Sequence, residues 1–254
     1  MILTVDIGNA QIKAGGFIGE RLSFVLRLDT DERRTAGLYA AQLRELLSLY
    51  GFGGVSFEGA IVSSVVPLLL PVLEEALHLI GAPRVLTVGP GIKTGLNLKI
   101  DNPVGTGPDL VCGAVGALQL WQPPCVIFDF GTATTVAALD GSGALVGKAI
   151  MAGVQISLDA LAERTACLPR LGVAPPGALL GKNTQEAMLG GAVYGAAAMT
   201  DGLISRYRAI YGESLTCILT GGLSGQIVPC CESEVTHEPN LNLLGLRAIY
   251  LRNS

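Results

Sequence analysis

The sequence has few charged residues, and neither sign of charge dominates. Only 15% of the 254 residues are Asp, Glu, Lys or Arg, and 17 basic residues stand against 21 acidic ones, for a net charge of −4. Affinity for a nucleic-acid backbone comes mainly from clustered Lys and Arg side chains. The composition therefore argues against nucleic acid as a partner.

Long uninterrupted apolar runs and paired-cysteine motifs are also missing. The apolar stretch at residues 61–73 contains Ser and Pro, and it is shorter than the about 20 residues that a membrane helix needs. The N-terminus has no basic segment or cleavage site of the kind that a secretory signal carries. The six cysteines include no Cys-x-x-Cys pair, which indicates reduced, mostly buried thiols. We interpret the adjacent Cys230 and Cys231 as two reduced neighbours in a late surface segment, in preference to a redox or metal site. We expect a cytoplasmic protein without membrane association.

What the sequence does contain is a regular alternation of apolar segments. Half of the residues are hydrophobic, and the 34 glycines separate apolar segments instead of forming a low-complexity tract. This pattern predicts an α/β protein in which tight turns join strands and helices. The first half predicts strands at 3–7, 11–17, 22–28, 59–65 and 85–88, and helices at 35–50 and 68–80. The second half predicts strands at 125–130, 134–139, 144–150 and 216–220, a helix at 157–164, and a helix at 185–207 capped by Asn183 or Thr184.

The second half begins like the first. A strand ending in Asp-x-Gly and followed by a β-hairpin occurs at Asp6-Ile7-Gly8-Asn9-Ala10 and again at Asp129-Phe130-Gly131-Thr132-Ala133. The repeat therefore has the size of a domain. It predicts two similar domains, residues 1–115 and 116–254, with a small-ligand cleft between them.

Each repeated turn has the residue types of a site for phosphate and metal. The Asp can hold a cation or its water shell, the Gly lets the backbone approach a phosphate, and the following Asn or Thr can donate a hydrogen bond. One such turn alone is typical of an ordinary strand end. Two facing carboxylates would repel each other unless a cation or ligand lay between them. The repetition therefore predicts a metal–nucleotide site that includes Asp6 and Asp129.

A third glycine-containing strand end completes a recognisable order of motifs. In Thr220-Gly221-Gly222 the glycines allow a flat ligand such as adenine to lie against the backbone, although a simple strand-end turn has the same sequence. Asp-x-Gly-Asn, Asp-x-Gly-Thr and Thr-Gly-Gly, in this order, resemble the phosphate 1, phosphate 2 and adenosine motifs of the actin-like ATPase superfamily, which includes sugar and acetate kinases. The resemblance implies a duplicated actin-like ATPase (ribonuclease H-like) fold, with a mixed β-sheet flanked by helices in each domain.

Within that superfamily, one family resembles the entire chain. Asp101-Asn102-Pro103-Val104-Gly105-Thr106-Gly107-Pro108-Asp109 is similar to the Asn-Pro…Gly-Ala-Asp-Arg segment of type III pantothenate kinases. Further matching segments are residues 129–135, 164–169, 181–184 and 219–222, and the resemblance extends from Met1 to residues 241–250.

The resemblance implies ATP-dependent phosphorylation of pantothenate to 4′-phosphopantothenate, the first step towards coenzyme A. It also implies a homodimer that needs Mg²⁺ and a monovalent cation, K⁺ or NH₄⁺. By position Asp109 matches the general base, which would accept the proton of the pantothenate hydroxyl. Without the resemblance, Asp109 after Gly107-Pro108 is typical of a helix N-cap, and both interpretations can hold together.

The resemblance assigns further residues to nucleotide, metal and acceptor. Asp129 corresponds to the acidic residue near the monovalent cation, and Asp6 is expected to contact metal as well as phosphate. The remaining residues expected to bind nucleotide are Gly8, Asn9, Gly131, Thr132, Thr134, Gly221 and Gly222. Those expected to contact pantothenate are Ile100, Gly107, Asp109, Leu110 and Thr184.

Several departures from the family pattern fall on these motifs. Leu110 stands where the family usually has Arg, the natural partner of the pantothenate carboxylate, and Leu offers neither charge nor hydrogen bond. That loss would cost ~1.5–3 kcal/mol of binding, or roughly ten- to a hundredfold in affinity. The other departures are Ala10 for Thr or Ser, Ala137 for Asp, Ala152 for the Pro before Gly153, and Ile100 for an aromatic residue.

The departures leave three hypotheses open. The chain is an active pantothenate kinase with a rearranged acceptor pocket, or a kinase for another small hydroxyl compound that lacks a carboxylate. Alternatively, it is a non-catalytic relative that keeps nucleotide binding and acts through a protein partner. Because a binding-only protein has no need of a base, the presence of Asp109 favours the first two.

Overall fold

The computed structural model describes residues 1–103 and 105–254, which form two compact units. One unit contains residues 1–96, 102–119 and 241–254, and the other contains residues 97–101 and 120–240. Val104, in the middle of the predicted acceptor segment, lies outside the described residues. The two domains predicted from the sequence, residues 1–115 and 116–254, have other boundaries than these units, and that division stays a prediction.

The first unit is built on a five-stranded mixed sheet. Its strands are β1 (Ile2–Ile7), β2 (Gln11–Ile18), β3 (Arg21–Asp29), β4 (Gly59–Ser64) and β5 (Val85–Thr87), in the order β3-β2-β1-β4-β5. The first three form an antiparallel meander, and β4 and β5 continue the sheet in parallel. Its helices are α1 (Ala36–Leu49), α2 (Leu70–Leu79), α3 (Pro108–Leu120) and α7 (Leu241–Arg252).

The second unit repeats this arrangement. Its strands are β6 (Cys125–Phe130), β7 (Ala133–Leu139), β8 (Leu145–Ala152), β9 (Thr216–Thr220) and β10 (Thr236–His237), in the order β8-β7-β6-β9-β10. Again the first three strands are antiparallel and the last two parallel. Its helices are α4 (Val154–Arg164), α5 (Thr184–Tyr211) and the short α6 (Ser224–Ile227). The shared strand order confirms the duplication that the repeated Asp-x-Gly turns predicted.

The predicted strands and helices are confirmed, with differences at their ends. The helix expected at 68–80 starts as a 3₁₀ turn, Pro67–Leu69, and becomes α-helical at Leu70. Asn183, not Thr184, caps α5, because its side chain accepts a hydrogen bond from the Glu186 backbone nitrogen at 2.9 Å.

Helices α3 and α7 share one core cluster with buried side chains of the first sheet, and they touch each other through glycines. A Cβ atom added to Gly245 of α7 would lie 1.8 Å from the Cys112 carbonyl oxygen of α3. One added to Gly116 of α3 would lie 2.3 Å from the Leu241 carbonyl oxygen of α7. Real Cβ atoms do not approach that closely, so the two helix backbones are in direct contact only because both positions are glycine.

By length and composition alone, helix α5 is long and apolar enough to cross a membrane. The uninterrupted apolar runs of the sequence gave no expectation of such a helix. Its buried residues include Val193, Ala197 and Ile204, which belong to the core cluster of the second unit together with Phe128 of β6. These buried side chains pack one side of α5 into the core of this unit, and 33% of its most apolar stretch is buried.

Candidate active site

The first Asp-x-Gly turn connects the central strand β1 to β2. Asp6 is the penultimate residue of β1, and the Gly8 backbone nitrogen donates a hydrogen bond to the Gln11 carbonyl oxygen at 3.0 Å. A Cβ at Gly8 would stand only 3.0 Å from that same oxygen. Asn9 and Ala10 occupy the exposed tip. Glycine thus makes the turn tight, and the tip presents the Asn9 side chain to solvent.

The environment of Asp6 is polar but poorly hydrated. Asp6 is partly buried, and the Asn242 Nδ2 donates a hydrogen bond to its Oδ2 at 3.0 Å. Burial raises the pKa of Asp6, and the negative charge of Asp109 raises it further, whereas the Asn242 bond and the Lys13 ammonium act in the opposite direction. Asp6 and Asp109 belong to the same unit, and the charge of one affects the pKa of the other.

Asp109 lies in the first turn of α3, not at its N-cap. The helix begins at Pro108, a residue type favoured at the first helical position because its fixed φ suits the helix. The N-cap interpretation of Asp109 is therefore wrong. Gly107 precedes the helix, and a Cβ there would lie 2.3 Å from the Asp109 Oδ1, so glycine makes room for the carboxylate. Leu110 follows, partly buried, in the same turn.

The second Asp-x-Gly turn joins β6 to β7 in the other unit and is one residue shorter than the first. Asp129 is the penultimate residue of β6, and the Gly131 backbone nitrogen donates to the Ala133 carbonyl oxygen at 3.1 Å. Thr132 is exposed at the tip, while Thr134 is 1% exposed inside β7. The tip residue Thr132 is therefore the more accessible of the two predicted phosphate-binding threonines.

The Thr-Gly-Gly segment lies directly beside Asp129. Thr220 ends β9 and is paired with Asp129 in the sheet. Gly221 has a positive φ of 96°, and a Cβ on it would lie 2.4 Å from the Asp129 Oδ1 and 2.5 Å from the Phe130 nitrogen. Only glycine fits there, both for its backbone conformation and for lack of space. A Cβ on the following Gly222 would meet nothing within 4 Å.

A serine and a histidine support this turn, and sequence analysis gave neither a role. The Ser224 hydroxyl donates to the Gly221 carbonyl oxygen at 2.7 Å, and the His237 Nε2 lies 2.9 Å from the same hydroxyl oxygen. Because the Ser224 hydroxyl hydrogen is donated to the Gly221 carbonyl oxygen, the His237 Nε2–H donates to the Ser224 oxygen. The pairing depends on β10 lying beside β9, which no local motif indicates.

Gly153, the N-cap of α4, packs against the second Asp-x-Gly turn. A Cβ on Gly153 would lie 2.0 Å from the Thr132 carbonyl oxygen and 2.8 Å from that of Gly131. The helix expected to start at residue 157 starts at Val154, immediately after this contact. Gly153 is therefore a further residue that shapes the turn. The sequence alone indicated no such role for it.

Thr184, expected in the acceptor pocket, lines a cavity of about 500 Å³ in the second unit. The walls of this cavity are mainly apolar and come from α4, α5 and the segment before α5. They are formed by Ser157, Leu158, Leu161, Leu168, Thr184, Ala187, Met188, Gly191 and Ala192. Ile100, also expected near the acceptor, belongs to the same unit, whereas Gly107, Asp109 and Leu110 belong to the first.

The available ligands fit Mg²⁺ held partly by its nucleotide. Among residues 1–103 and 105–254, no group of three or more His, Cys, Asp or Glu side chains could enclose a metal ion. Mg²⁺ is usually bound by one or two carboxylates together with phosphates and water, and the Asp6 carboxylate meets that requirement. The side chain of Ser63, a buried residue of β4, lies next to Asp6 and lowers the pKa of its carboxyl.

The fold is shared with solved structures of low sequence identity. The conserved putative Baf family transcriptional activator from Campylobacter jejuni has a TM-score of 0.58 at 17% identity, over 99% of this chain and 98% of its own. The activator of the 2-hydroxyisocaproyl-CoA dehydratase from Clostridium difficile, with bound ADPNP, also has a TM-score of 0.58, at 16% identity, over 98% and 93%. Together with the repeated sheet order, they define a duplicated actin-like ATPase fold, as the motifs predicted.

Sequence comparison identifies the family within that class. The model of the type III pantothenate kinases matches residues 2–206. The type III pantothenate kinase of Moorella thermoacetica is 37% identical over 254 residues, covering both chains completely. That of an Exiguobacterium species is 40% identical over all of this chain and 99% of its own. The chain belongs to the type III pantothenate kinase family.

Proposed function

We propose that this protein transfers the γ-phosphoryl group of ATP to pantothenate, giving 4′-phosphopantothenate in the first step of coenzyme A biosynthesis. Asp6 and Asp109 carry the proposal, because one side chain links Asp6 to the helix of Asp109. The Asn242 Nδ2 donates to the Asp6 Oδ2 at 3.0 Å, and a Cβ on Gly113, one turn after Asp109 in α3, would lie 3.1 Å from the Asn242 Oδ1. The two aspartates lie far apart in sequence, yet the charge of one affects the pKa of the other. A phosphate-binding carboxylate beside a candidate base is the arrangement that a small-molecule kinase needs.

Asp109 is the general base of the proposed reaction. Its carboxylate accepts the proton of the pantothenate hydroxyl as that oxygen attacks the γ-phosphorus. The bond from the γ-phosphorus to the bridging oxygen breaks, and ADP leaves with the bonding electron pair. Phosphoryl transfer depends mostly on positioning and charge neutralisation, so a carboxylate in the first turn of a packed helix suits the task.

ATP is bound by the three glycine-containing turns in this proposal. Asp6, Gly8 and Asn9 contact phosphate, and Mg²⁺, when bound, neutralises phosphate charge beside Asp6. Gly131 and Thr132 contact phosphate from the second turn, whereas the side chain of Thr134, also expected there, is buried in β7. Gly221 and Gly222 accept the adenosine, and the monovalent cation, K⁺ or NH₄⁺, is held near Asp129. The absence of space for side chains at Gly8 and Gly221 supports these roles.

Two of the departures from the family pattern, Leu110 and Ile100, fall on the expected acceptor site. In the proposal, pantothenate is contacted by Gly107, Leu110, Ile100 and Thr184. Leu110 offers the carboxylate of pantothenate no ionic partner. The presence of Leu110 in place of Arg also favours a second candidate function, the phosphorylation of a small hydroxyl compound without a carboxylate.

We also propose that the protein works as a homodimer in the cytoplasm. The second unit exposes several large apolar side chains around α4 and α5, and such surfaces mark protein interfaces. They are Ile156, Leu161, Leu179 and Leu180. All six cysteines are free, which suits a reducing compartment.

The test is ATP consumption by the purified protein with pantothenate, Mg²⁺ and K⁺ or NH₄⁺. We expect pantothenate-dependent turnover that Asp109→Asn abolishes while its ATP binding persists. We expect Leu110→Arg to lower the KM for pantothenate roughly ten- to a hundredfold, the value of one charge-assisted bond. ATP binding without turnover in the wild type would refute the pantothenate assignment and direct the search to other acceptors or to a protein partner.

A further inference from the structure

The amide of Asn242 reaches the phosphate-site carboxylate from the other end of the chain. Asn242 is the second residue of α7, and its Nδ2 donates to the Asp6 Oδ2 at 3.0 Å across 236 residues of sequence. It lies outside residues 2–206, the part matched by the family model.

The turn of α7 that carries Asn242 is anchored on both sides. The preceding residue, Leu241, lies over Gly116 of α3, and the following residue, Leu243, is completely buried. A Cβ added to Gly15 in β2 would lie 2.9 Å from the Leu243 Cδ1. The Leu243 side chain can therefore pack against β2 because residue 15 is glycine. Packing of this kind fixes the backbone of Asn242 before any ligand arrives.

An amide suits a carboxylate that must remain able to bind a cation. A Lys or Arg at this position would form an ion pair with Asp6 and compete with a metal ion. The neutral Nδ2–H orients the carboxylate and leaves its charge in place. Since Asn242 engages Oδ2, it also sets the direction of Oδ1, the oxygen that it does not contact.

We propose that Asn242 is a positioning residue for nucleotide binding, which holds the Asp6 carboxylate in the orientation that receives Mg²⁺ and phosphate. The inference rests on the proposed function, in which Asp6 contacts these groups. Removing a hydrogen-bond partner of a metal-binding carboxylate typically costs roughly 10- to 100-fold in metal affinity or activity.

The test is calorimetric titration of the full chain with the ATP analogue AMPPNP and Mg²⁺. We expect Asn242→Leu to raise the dissociation constant roughly 10- to 100-fold while the KM for pantothenate stays near the wild-type value. We expect a smaller increase for Asn242→Ala, because water can enter the vacated space and replace the missing donor. A purely structural role would give the opposite order, because Ala leaves the larger cavity.

Asn253 offers a matched control at the other end of α7. Its Nδ2 donates to the Lys93 and Ile249 carbonyl oxygens at 2.9 and 2.8 Å. Asn253→Leu should therefore lower the unfolding temperature without changing the dissociation constant. If Asn242→Leu and Asn253→Leu both weaken binding in proportion to lost stability, the positioning role is wrong.

An Asp6→Ala variant separates this inference from the proposed function. Loss of Mg²⁺–AMPPNP binding in Asp6→Ala but not in Asn242→Leu would overturn the positioning role and leave the proposed function standing. Wild-type binding by Asp6→Ala would instead overturn the proposed role of Asp6, and the inference with it.

Discussion

The glycine contact between α3 and α7 allows one substitution to be worked through in detail. Gly245→Ala places a Cβ 1.8 Å from the Cys112 carbonyl oxygen, and that oxygen belongs to helix backbone that cannot rotate away. Two effects oppose each other. Alanine favours the helix by about 1 kcal/mol, whereas overpacking a well-packed core typically costs ~1–3 kcal/mol and sometimes more. At such a short distance the two helices must separate, so we expect the clash to prevail.

Because the contact is so short, we take the clash at the upper part of its range, ~2–3 kcal/mol, and the expected net effect of Gly245→Ala is then a loss of about 1–2 kcal/mol in the free energy of unfolding. For a chain of this size, that lowers the unfolding temperature by roughly 2–8 °C. Differential scanning calorimetry measures it directly. Gly195→Ala is the matched control, because a Cβ at Gly195 in α5 would meet nothing within 4 Å. This control should gain about 0.5–1 kcal/mol from helix propensity. If Gly245→Ala melts at or above the wild-type temperature, as the control should, the argument for direct backbone contact is refuted.

Two further substitutions test the second unit. Gly221→Ala forces a side chain into a positive φ and against the Asp129 carboxylate. It should raise the KM for ATP roughly tenfold or more. A Cβ at Gly225 would meet open space, so the control Gly225→Ala should leave the KM for ATP unchanged. The same KM for ATP in both variants would contradict the adenosine assignment. The Ser142 hydroxyl, above all, holds the pKa of Asp140 well below its usual range. A depressed folded-state pKa contributes stability above the unfolded pKa of about 3.9 and loses it as pH falls further. Unfolding temperatures between pH 5 and 2 should therefore fall less steeply in Asp140→Asn than in the wild type, and parallel curves would rule this contribution out.

The sequence by itself determined the parts of the protein that depend on neighbouring residues. The alternation of apolar residues indicated the strands and helices, and an Asp-x-Gly motif at the end of an apolar strand indicated each turn. Both signals arise from local backbone and burial preferences. Since the signals occur twice in the same order, they also indicated the duplicated sheet. The family resemblance rested on the same short segments.

Only the tertiary structure decided which distant residues meet. The pairing of Asn242 with Asp6 joins residues 236 positions apart, and it follows from how α7 packs against α3 and β2. The supporting roles of Gly245 and Gly153 likewise appear only once two backbones are seen in contact. Such contacts depend on the spacing of packed helices and strands, and local propensity carries no information about that spacing. The turns of the site are therefore local in origin, whereas the orientation of the Asp6 carboxylate is a property of the folded unit.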